Sequence, residues 1–555
     1  MKMTGAEAVI HALELEGVDI VFGYPGGAVT HIYDSLGNSK IHHVLVRNEQ
    51  AAAHGASGYA RATGKVGVCM ATSGPGATNM ITGIATAYMD SIPIIAITGQ
   101  VPLSMIGRDA FQEADITGAT EPFTKYSYLV KNAQDLPRIF KEAFHIASTG
   151  RPGPVLIDIP KDVAIDTLDF NYPQEINLRG YKPTYKGHPG QIKRMARAIE
   201  ESRRPVICLG GGAVSSNATE EIVELAQRVK APVVTTLMGK GAFPGDHRLS
   251  LGLIGQHGLY AANRAVDEAD LLIVLGARMG DRATGKTHEF AKKAKVIHVD
   301  IDPAEIGKNI EIDIPIVGDI KTILIDLLKK DMERIDWGWI SNTNEWKTKF
   351  EGVGNCTQGL NPMEIIKNLS NMVPEDTILV TDVGQQQMWA ARYYRARQPG
   401  GFITSGGLGT MGYGLPAALG AKLGSREKEL VLVIGDGGLQ MSLAELATIV
   451  QEDANVKIML LNNGYLGMVR ELQEELHEGR YNQTLMKGNP DFVKLAQAYG
   501  IEAFRVKRQE NIISGIRQLL EWEGPILGEF IIDSNANVIP ALGSDYDEAH
   551  IRGIS

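Results

Sequence analysis

Short runs of β-branched and aliphatic residues recur along this chain at helix-length intervals, and that recurrence narrows its possible folds more than any other feature. The first set is DIVFGY (19–24), VGVCMATS (66–73), PIIAITG (93–99) and VLIDIP (155–160). Strands that alternate with helices form parallel sheets covered by those helices. A stretch rich in Tyr, Pro and Gly at 171–190 interrupts the pattern as a linker does. The alternation resumes with PVICLGGG (205–212), PVVTT (232–236), DLLIVLGAR (270–278) and KVIHVDID (295–302), then fades near Lys330. After a connecting segment at 336–362, whose three tryptophans are expected to pack it down, a third set appears: TILVTDVG (377–384), LVLVIGDGG (430–438), VKIMLLNN (456–463) and ILGEFIID (526–533). The expected fold class is α/β, with three consecutive doubly wound parallel-sheet domains at 1–170, 190–330 and 360–555. A length of 555 residues suits about three domains of ordinary size. No short-period repeat or heptad run points to a solenoid or coiled coil.

A formal net charge of −10 without a long Lys/Arg run gives no electrostatic footprint for nucleic acid, so a small-molecule substrate is expected. Cys69, Cys208 and Cys356 are far apart and odd in number, which disfavours a disulfide framework or a zinc site. Residues 1–17 lack the basic start, apolar core and cleavage site of a signal peptide. No stretch reaches the roughly 20 apolar residues that cross a bilayer. These features predict a cytoplasmic protein with no membrane association.

The most specific chemical signal is Gly435-Asp436-Gly437-Gly438, directly after an apolar strand, with Asn462-Asn463 at the end of the next strand. Between them Leu443, Leu446, Ala447 and Val450 recur at i, i+3, i+4 and i+7, which predicts a helix over 442–452 packed on the sheet. A carboxylate and an amide oxygen at adjacent strand ends can share Mg2+, which prefers hard oxygen ligands. Glycines let a diphosphate approach the backbone, and the following helix turns its amino terminus toward that anion. Taken alone, GDGG and NN also read as ordinary tight turns. Strand, turn, helix, strand and paired Asn in this order resemble the thiamine-diphosphate-binding motif.

That resemblance implies a catalytic glutamate in the first domain, at a strand end and opening a helix. Glu49 fits: it follows HHVLV (42–46) and precedes the alanine-rich segment 50–61. Without the resemblance, a glutamate there reads as a helix cap favoured by the dipole. With it, a buried carboxylate bonded to the cofactor's pyrimidine nitrogen favours the imino tautomer that removes the thiazolium C2 proton, and burial is expected to aid proton sharing. In SGGLGTMGYGLPAALG (405–420) the resemblance makes Met411 the apolar support that bends the two cofactor rings together and sets Gly409 against the aminopyrimidine. Gln385 and Gln386 are placed beside the cofactor, and Tyr465 joins Asp436 and Asn463 around the metal.

The resemblance extends over nearly the whole chain and is closest to the acetohydroxyacid (acetolactate) synthase family of catalytic subunits. FGYPGGA (22–28), TSGPGATN (72–79), ITGQVP (97–102), DAFQE (109–113) and GRPGPVLIDIPKD (150–162) carry it together. It implies decarboxylation of pyruvate and transfer of the two-carbon unit to a second 2-keto acid, for branched-chain amino-acid biosynthesis. By matching positions, Gly27 borders the reacting carbonyl, Gln112 lies near the catalytic centre and Lys161 lines the substrate entrance. The three domains become pyrimidine-binding, FAD-binding and diphosphate-binding. In the middle one, Gly210, Gly211, Gly212, Thr236, Met238, His257 and Gly276 match the flavin region; Arg151 and Arg278 are assigned to phosphate, Asp300 and Asp319 to ribose or nearby backbone. FAD is implied in a non-redox role.

The resemblance further implies a homodimer or homotetramer, with Glu49 of one chain facing the diphosphate anchor of another, and a possible separate regulatory subunit. Four positions depart from the pattern: Gln386 stands for a histidine, Gly280 for an acid after GAR, Asn48 for the histidine before Glu49, and Leu472 for a tryptophan that contacts the acceptor. Leu472 is therefore the candidate specificity residue. The competing readings are a flavin-active pyruvate oxidase, another thiamine-diphosphate decarboxylase or lyase, and a nucleotide-binding scaffold without catalysis.

Overall fold

A computed structural model describes residues 1–332, 336–349 and 359–538 of the protein. Cys356 and the end of the third expected domain lie outside them. Three six-stranded sheets account for the three sequence sets, and within each every recorded pairing is parallel. Central strands such as Gly67–Ala71, Leu271–Leu275 and Lys457–Asn462 are apolar over most of their length because helices cover both faces. A two-stranded antiparallel ribbon, Lys2–Thr4 with Thr167–Asp169, ties the start of the first unit to its end.

Strand order is what positions the sites. In the middle sheet the order is Ser250–Leu253, Val233–Thr235, Pro205–Leu209, Leu271–Leu275, Lys295–Asp300, Ile314–Val317. Numbered within that sheet this is 3-2-1-4-5-6, the dinucleotide-binding order, whose switch point falls between Pro205–Leu209 and Leu271–Leu275. The loops leaving those two strands are Gly210–Gly212 and Gly276–Arg278.

The first and third sheets share another order, 2-1-3-4-6-5 in their own numbering. In the first, the switch point lies between Ile20–Tyr24 and Gly67–Ala71; in the third, between Ile378–Thr381 and Leu430–Gly435. Ligands of open α/β sheets bind where the order reverses, outside the carboxyl ends of the strands. Asp436 is the first residue beyond one such strand.

The outer units are joined by equivalent helices, Glu49–Thr63 and Gly414–Gly424. Their backbones touch: a Cβ at Gly58 would collide with the Ala417 carbonyl, and one at Gly420 with the Gly55 carbonyl. One apolar core runs through both units, from Phe22 and Ala56 to Leu419 and Leu432. The connecting segment is anchored by two of its three tryptophans: Trp339 is buried and its indole N–H donates to the Pro205 carbonyl at 3.0 Å, Trp346 packs edge-on against it with ring centroids 5.7 Å apart, and Trp337 stays 64% exposed.

The helix expected over 442–452 forms differently. Helix begins at Asp436 and runs to Met441, breaks, and resumes over Glu445–Gln451. Its buried face is Glu445, Leu446, Thr448 and Ile449, and Val450 is exposed. The apolar stripe misses this register because the helix is rotated about its axis, which turns a carboxylate inward. Cys69 and Cys208 are buried free thiols, and no described helix is long and apolar enough to cross a membrane.

Candidate active site

A single cavity of about 990 Å3 begins at the third sheet's switch point and continues into that of the middle sheet. Every cofactor residue named from the sequence lines it except Gly210, which packs beneath against Gly276 and Ala277. Leu472, on the helix Gly467–His477, is also in its wall.

At the diphosphate end, Asp436 is buried and desolvation pushes its carboxyl up to about 6. Its Oδ2 accepts the Asn489 amide at 2.6 Å, the side-chain donor recorded for it. Backbone N–H groups of Asp436, Gly437 and Gly464 also favour its charged form, yet burial outweighs them all, and a nearly dry carboxylate of this kind is a site that a cation stabilises. The paired asparagines divide their work. Asn462 turns to Glu529, whereas Asn463 donates its Nδ2 to Gln385 Oε1 at 3.1 Å, which fixes its Oδ1 orientation. Gln385 is held in turn by the buried Glu471 carboxylate at 2.7 Å. The donor set fits Mg2+.

The loop carrying Gly409 and Met411 is clamped at both ends by buried carboxylates that sequence reasoning missed. Asp90, from the first unit, accepts the Gly407 N–H at 2.6 Å and the Gly406 N–H at 3.3 Å. Asp382 accepts the Gly414 N–H at 2.7 Å and the Gly412 N–H at 3.2 Å. Asp382 also abuts the diphosphate turn: a Cβ at Gly438 would overlap its Oδ1, so only glycine fits. Burial raises both carboxyls, Asp382 to about 6 against the pull of its backbone donors. The strand end in TILVTDVG is the signal that could have revealed Asp382; nothing local marks Asp90 or Asn489.

In the middle unit, Arg151 pairs with Glu305 at 2.7 Å and Asp302 at 3.3 Å instead of standing free. Arg278 is pushed down by burial and then by neighbouring Arg151, so two guanidiniums share one recess, an arrangement that suits an anionic ligand. Glu305 Oε2 is buried without a partner in that recess. Asp300, raised to about 6 by burial, lines it too. Asp319 is partly committed elsewhere: its oxygens cap the helix Ile320–Leu328 and accept Ser216 Oγ at 2.6 Å. Arg151 and Arg278 are the groups of this recess that could meet a dinucleotide phosphate, and its carboxylates the ones that could accept from ribose hydroxyls.

Gly27, Glu49, Gln112 and Lys161 do not line this cavity. Three of them gather near the other switch point. Gly26, beside Gly27, packs on Thr72; Gly74 packs against Gln112, whose φ is +59°; and Gly76 lies beside Glu49 Oε1. Lys161 stands apart at the end of Val155–Pro160. Glu49 opens its helix, accepts Asn79 Nδ2 at 2.9 Å, and is half-buried within the single chain. One chain thus carries an anchoring half and a glutamate half at separate places.

Three family models match the chain: the thiamine pyrophosphate enzyme N-terminal TPP-binding domain at residues 3–119, the central domain at 192–327, and the C-terminal TPP-binding domain at 382–530. Together with the strand orders and the Asp436 anchor, they define the class: a thiamine pyrophosphate enzyme. The chain is 49% identical to the acetolactate synthase of Mycobacterium bovis over all of its own length and 92% of the relative's. A probable acetolactate synthase large subunit of Methanocaldococcus jannaschii is 49% identical, with 97% and 93% covered, and the large subunit of Buchnera aphidicola 46% identical, with 97% and 96% covered. The chain belongs to the acetolactate synthase family.

Proposed function

We propose that this chain is the catalytic subunit of an acetolactate synthase, which decarboxylates pyruvate and joins the two-carbon remainder to pyruvate or 2-ketobutyrate in branched-chain amino-acid biosynthesis. The observation that carries this reading is the continuous cavity from the Asp436 turn to the glycine-lined middle recess. Bound thiamine diphosphate supplies the carbon nucleophile and the electron sink. Asp436, Asn463 and Tyr465 hold Mg2+ against the diphosphate, and Gln385 and Gln386 flank it. Met411 keeps the cofactor bent, on a loop whose ends Asp90 and Asp382 fix. Glu49 holds the proton exchanged with the pyrimidine ring, Gly27 and Gln112 border the reacting carbonyl, Lys161 lines the entrance and Leu472 forms the acceptor wall. The middle recess takes FAD in a structural, non-redox role. The working units are 1–170, 190–330 and 360–555, in a cytoplasmic enzyme, and a separate regulatory subunit is consistent with relatives named as large subunits.

The separation of Glu49 from the anchor supports a site shared between two chains. An exposed apolar side chain stands beside each half: Phe111, 87% exposed, next to Gln112, and Met441, 61% exposed, at the end of the Asp436 helix. A second copy covers them. Incubation with thiamine diphosphate, Mg2+ and pyruvate should yield acetolactate; rapid stoichiometric flavin bleaching under anaerobic conditions would favour the oxidase instead. Mixing inactive Glu49→Gln and Asp436→Ala chains should restore activity by forming one intact site per dimer. No recovery after verified subunit exchange would mean that one chain completes its own site.

A further inference from the structure

We infer that Glu445, on the helix that follows the diphosphate turn, is a positioning residue for Glu49. The side chain is buried, with 1% of its surface exposed. Its Oε1 crosses between the outer units to accept the Arg47 N–H at 2.9 Å and the Asn48 N–H at 3.1 Å, the two backbone donors immediately before Glu49. Its Oε2 is oriented by the Thr448 hydroxyl at 2.7 Å. A carboxylate buried between units is expensive unless its lone pairs are used, and here they are spent on the approach to one helix start. The anchoring is directional: Asn48 caps the helix through its own side chain on Gln50 N, so Glu445 fixes the cap, and the cap fixes where Glu49 leaves the backbone.

Two further ties keep the same seam in register. Arg47 donates to Gln451 Oε1 at 3.0 Å, and His42 meets Glu452 Oε2 at 2.6 Å. Glu445 alone acts on the backbone next to Glu49. It opens the helix that follows one short break after the helix beginning at Asp436, so two successive helix starts carry the proposed metal-binding carboxylate and the group that sets the glutamate. The inference rests on the reading of Glu49 as the proton-holding residue, and it adds that Glu49 depends on a residue outside its own unit.

The test compares exchange of the C2 hydrogen of bound thiamine diphosphate for deuterium with Mg2+-dependent cofactor affinity, in the full-length holoenzyme. Glu445→Ala should slow exchange by about 10²-fold, the scale expected when a catalytic group is displaced by an ångström, while affinity changes less than about threefold. Glu445→Gln, whose amide oxygen can accept both N–H groups while its NH2 meets Thr448, should recover most of the rate. Should Glu445→Ala fail to fold, Thr448→Val, which removes only the orienting hydroxyl, should slow exchange several-fold at unchanged affinity. Normal exchange in whichever of these two variants folds, or an equal loss of exchange and affinity that glutamine does not rescue, overturns the inference. Glu49→Gln in parallel separates the two ideas: normal exchange there defeats the reading of Glu49 itself, whereas loss there with normal exchange in Glu445→Ala defeats only the role of Glu445.

Discussion

Replacing Asp382 by asparagine keeps the side chain's shape and removes the charge that clamps the Met411 loop. At neutral pH the wild-type carboxylate is ionised in a site with none of its surface exposed, and its pKa of about 6 against an ordinary 3.8 means that the charge costs about 3 kcal/mol. The amide escapes that cost. It also loses one of the two N–H acceptor contacts to Gly412 and Gly414 and turns a donor toward a donor, which costs about 2 to 4 kcal/mol. The two terms nearly cancel, so the urea midpoint of the apo protein should barely move. Function should not be spared, because the loop end beside Gly438 is released and Met411 shifts. A displacement near an ångström corresponds to about 10²-fold in acetolactate formation. The assay pairs urea denaturation with initial rates at saturating cofactor. Full activity would refute the clamp; a loss of stability beyond about 4 kcal/mol would show that the carboxylate mainly supports the fold.

Asp436→Ala should weaken Mg2+-dependent thiamine diphosphate binding by at least about 10²-fold while leaving the apo Tm nearly unchanged, and unchanged affinity across a Mg2+ titration would make the turn purely structural. Leu472→Trp should raise the preference for 2-ketobutyrate over pyruvate, by no more than the ~1 to 3 kcal/mol that one methylene allows; an unchanged product ratio in a folded, active variant would remove this residue from acceptor choice. Asp158 offers the pH test. Burial pushes its carboxyl up to about 7 despite hydrogen bonds from Thr98 and Gln100, so it binds its proton more readily folded than unfolded. Its cost is present above pH 7 and disappears as pH falls toward 4, and wild type should gain about 2 to 4 kcal/mol on Asp158→Asn over that range. Comparison with the variant removes the opposing contribution of His43 and His298, which burial holds down at about 4. A difference independent of pH would contradict the shift.

The central strands were legible because burial on both faces writes an unbroken apolar run, as in Leu271–Leu275 and Leu430–Gly435. Two edge strands were not: Tyr126–Leu129 and Glu502–Val506 are half-exposed and carry no such run. That Asp436 and Asn463 lie together in the cavity wall could be read because they sit at fixed offsets from strands that are themselves visible. Asp90, Asn489 and Glu445 act across long sequence separations, through backbone N–H groups or a single amide, and local pattern holds no trace of their partners. The helix carrying Glu445 was not legible in its register because it is rotated about its axis: Glu445, Thr448 and Ile449 turn inward with Leu446, while Val450 of the expected stripe faces solvent.

The helix crossing has a consequence for assembly. The two outer units share a strand order, and the helices that touch, Glu49–Thr63 and Gly414–Gly424, each follow the second strand of their unit in chain order. The close contacts are reciprocal as well, Gly58 on Ala417 and Gly420 on Gly55. Such mutual, self-complementary contact is the signature of an isologous pair, here formed between two segments of one chain. The outer units therefore share one design, and on the function proposed above they divide its labour, one supplying the acid and the other the metal site. A dimer of this chain would then hold four such units, and the glutamate half of one chain could meet the anchoring half of the other across a contact of the kind already made within each chain.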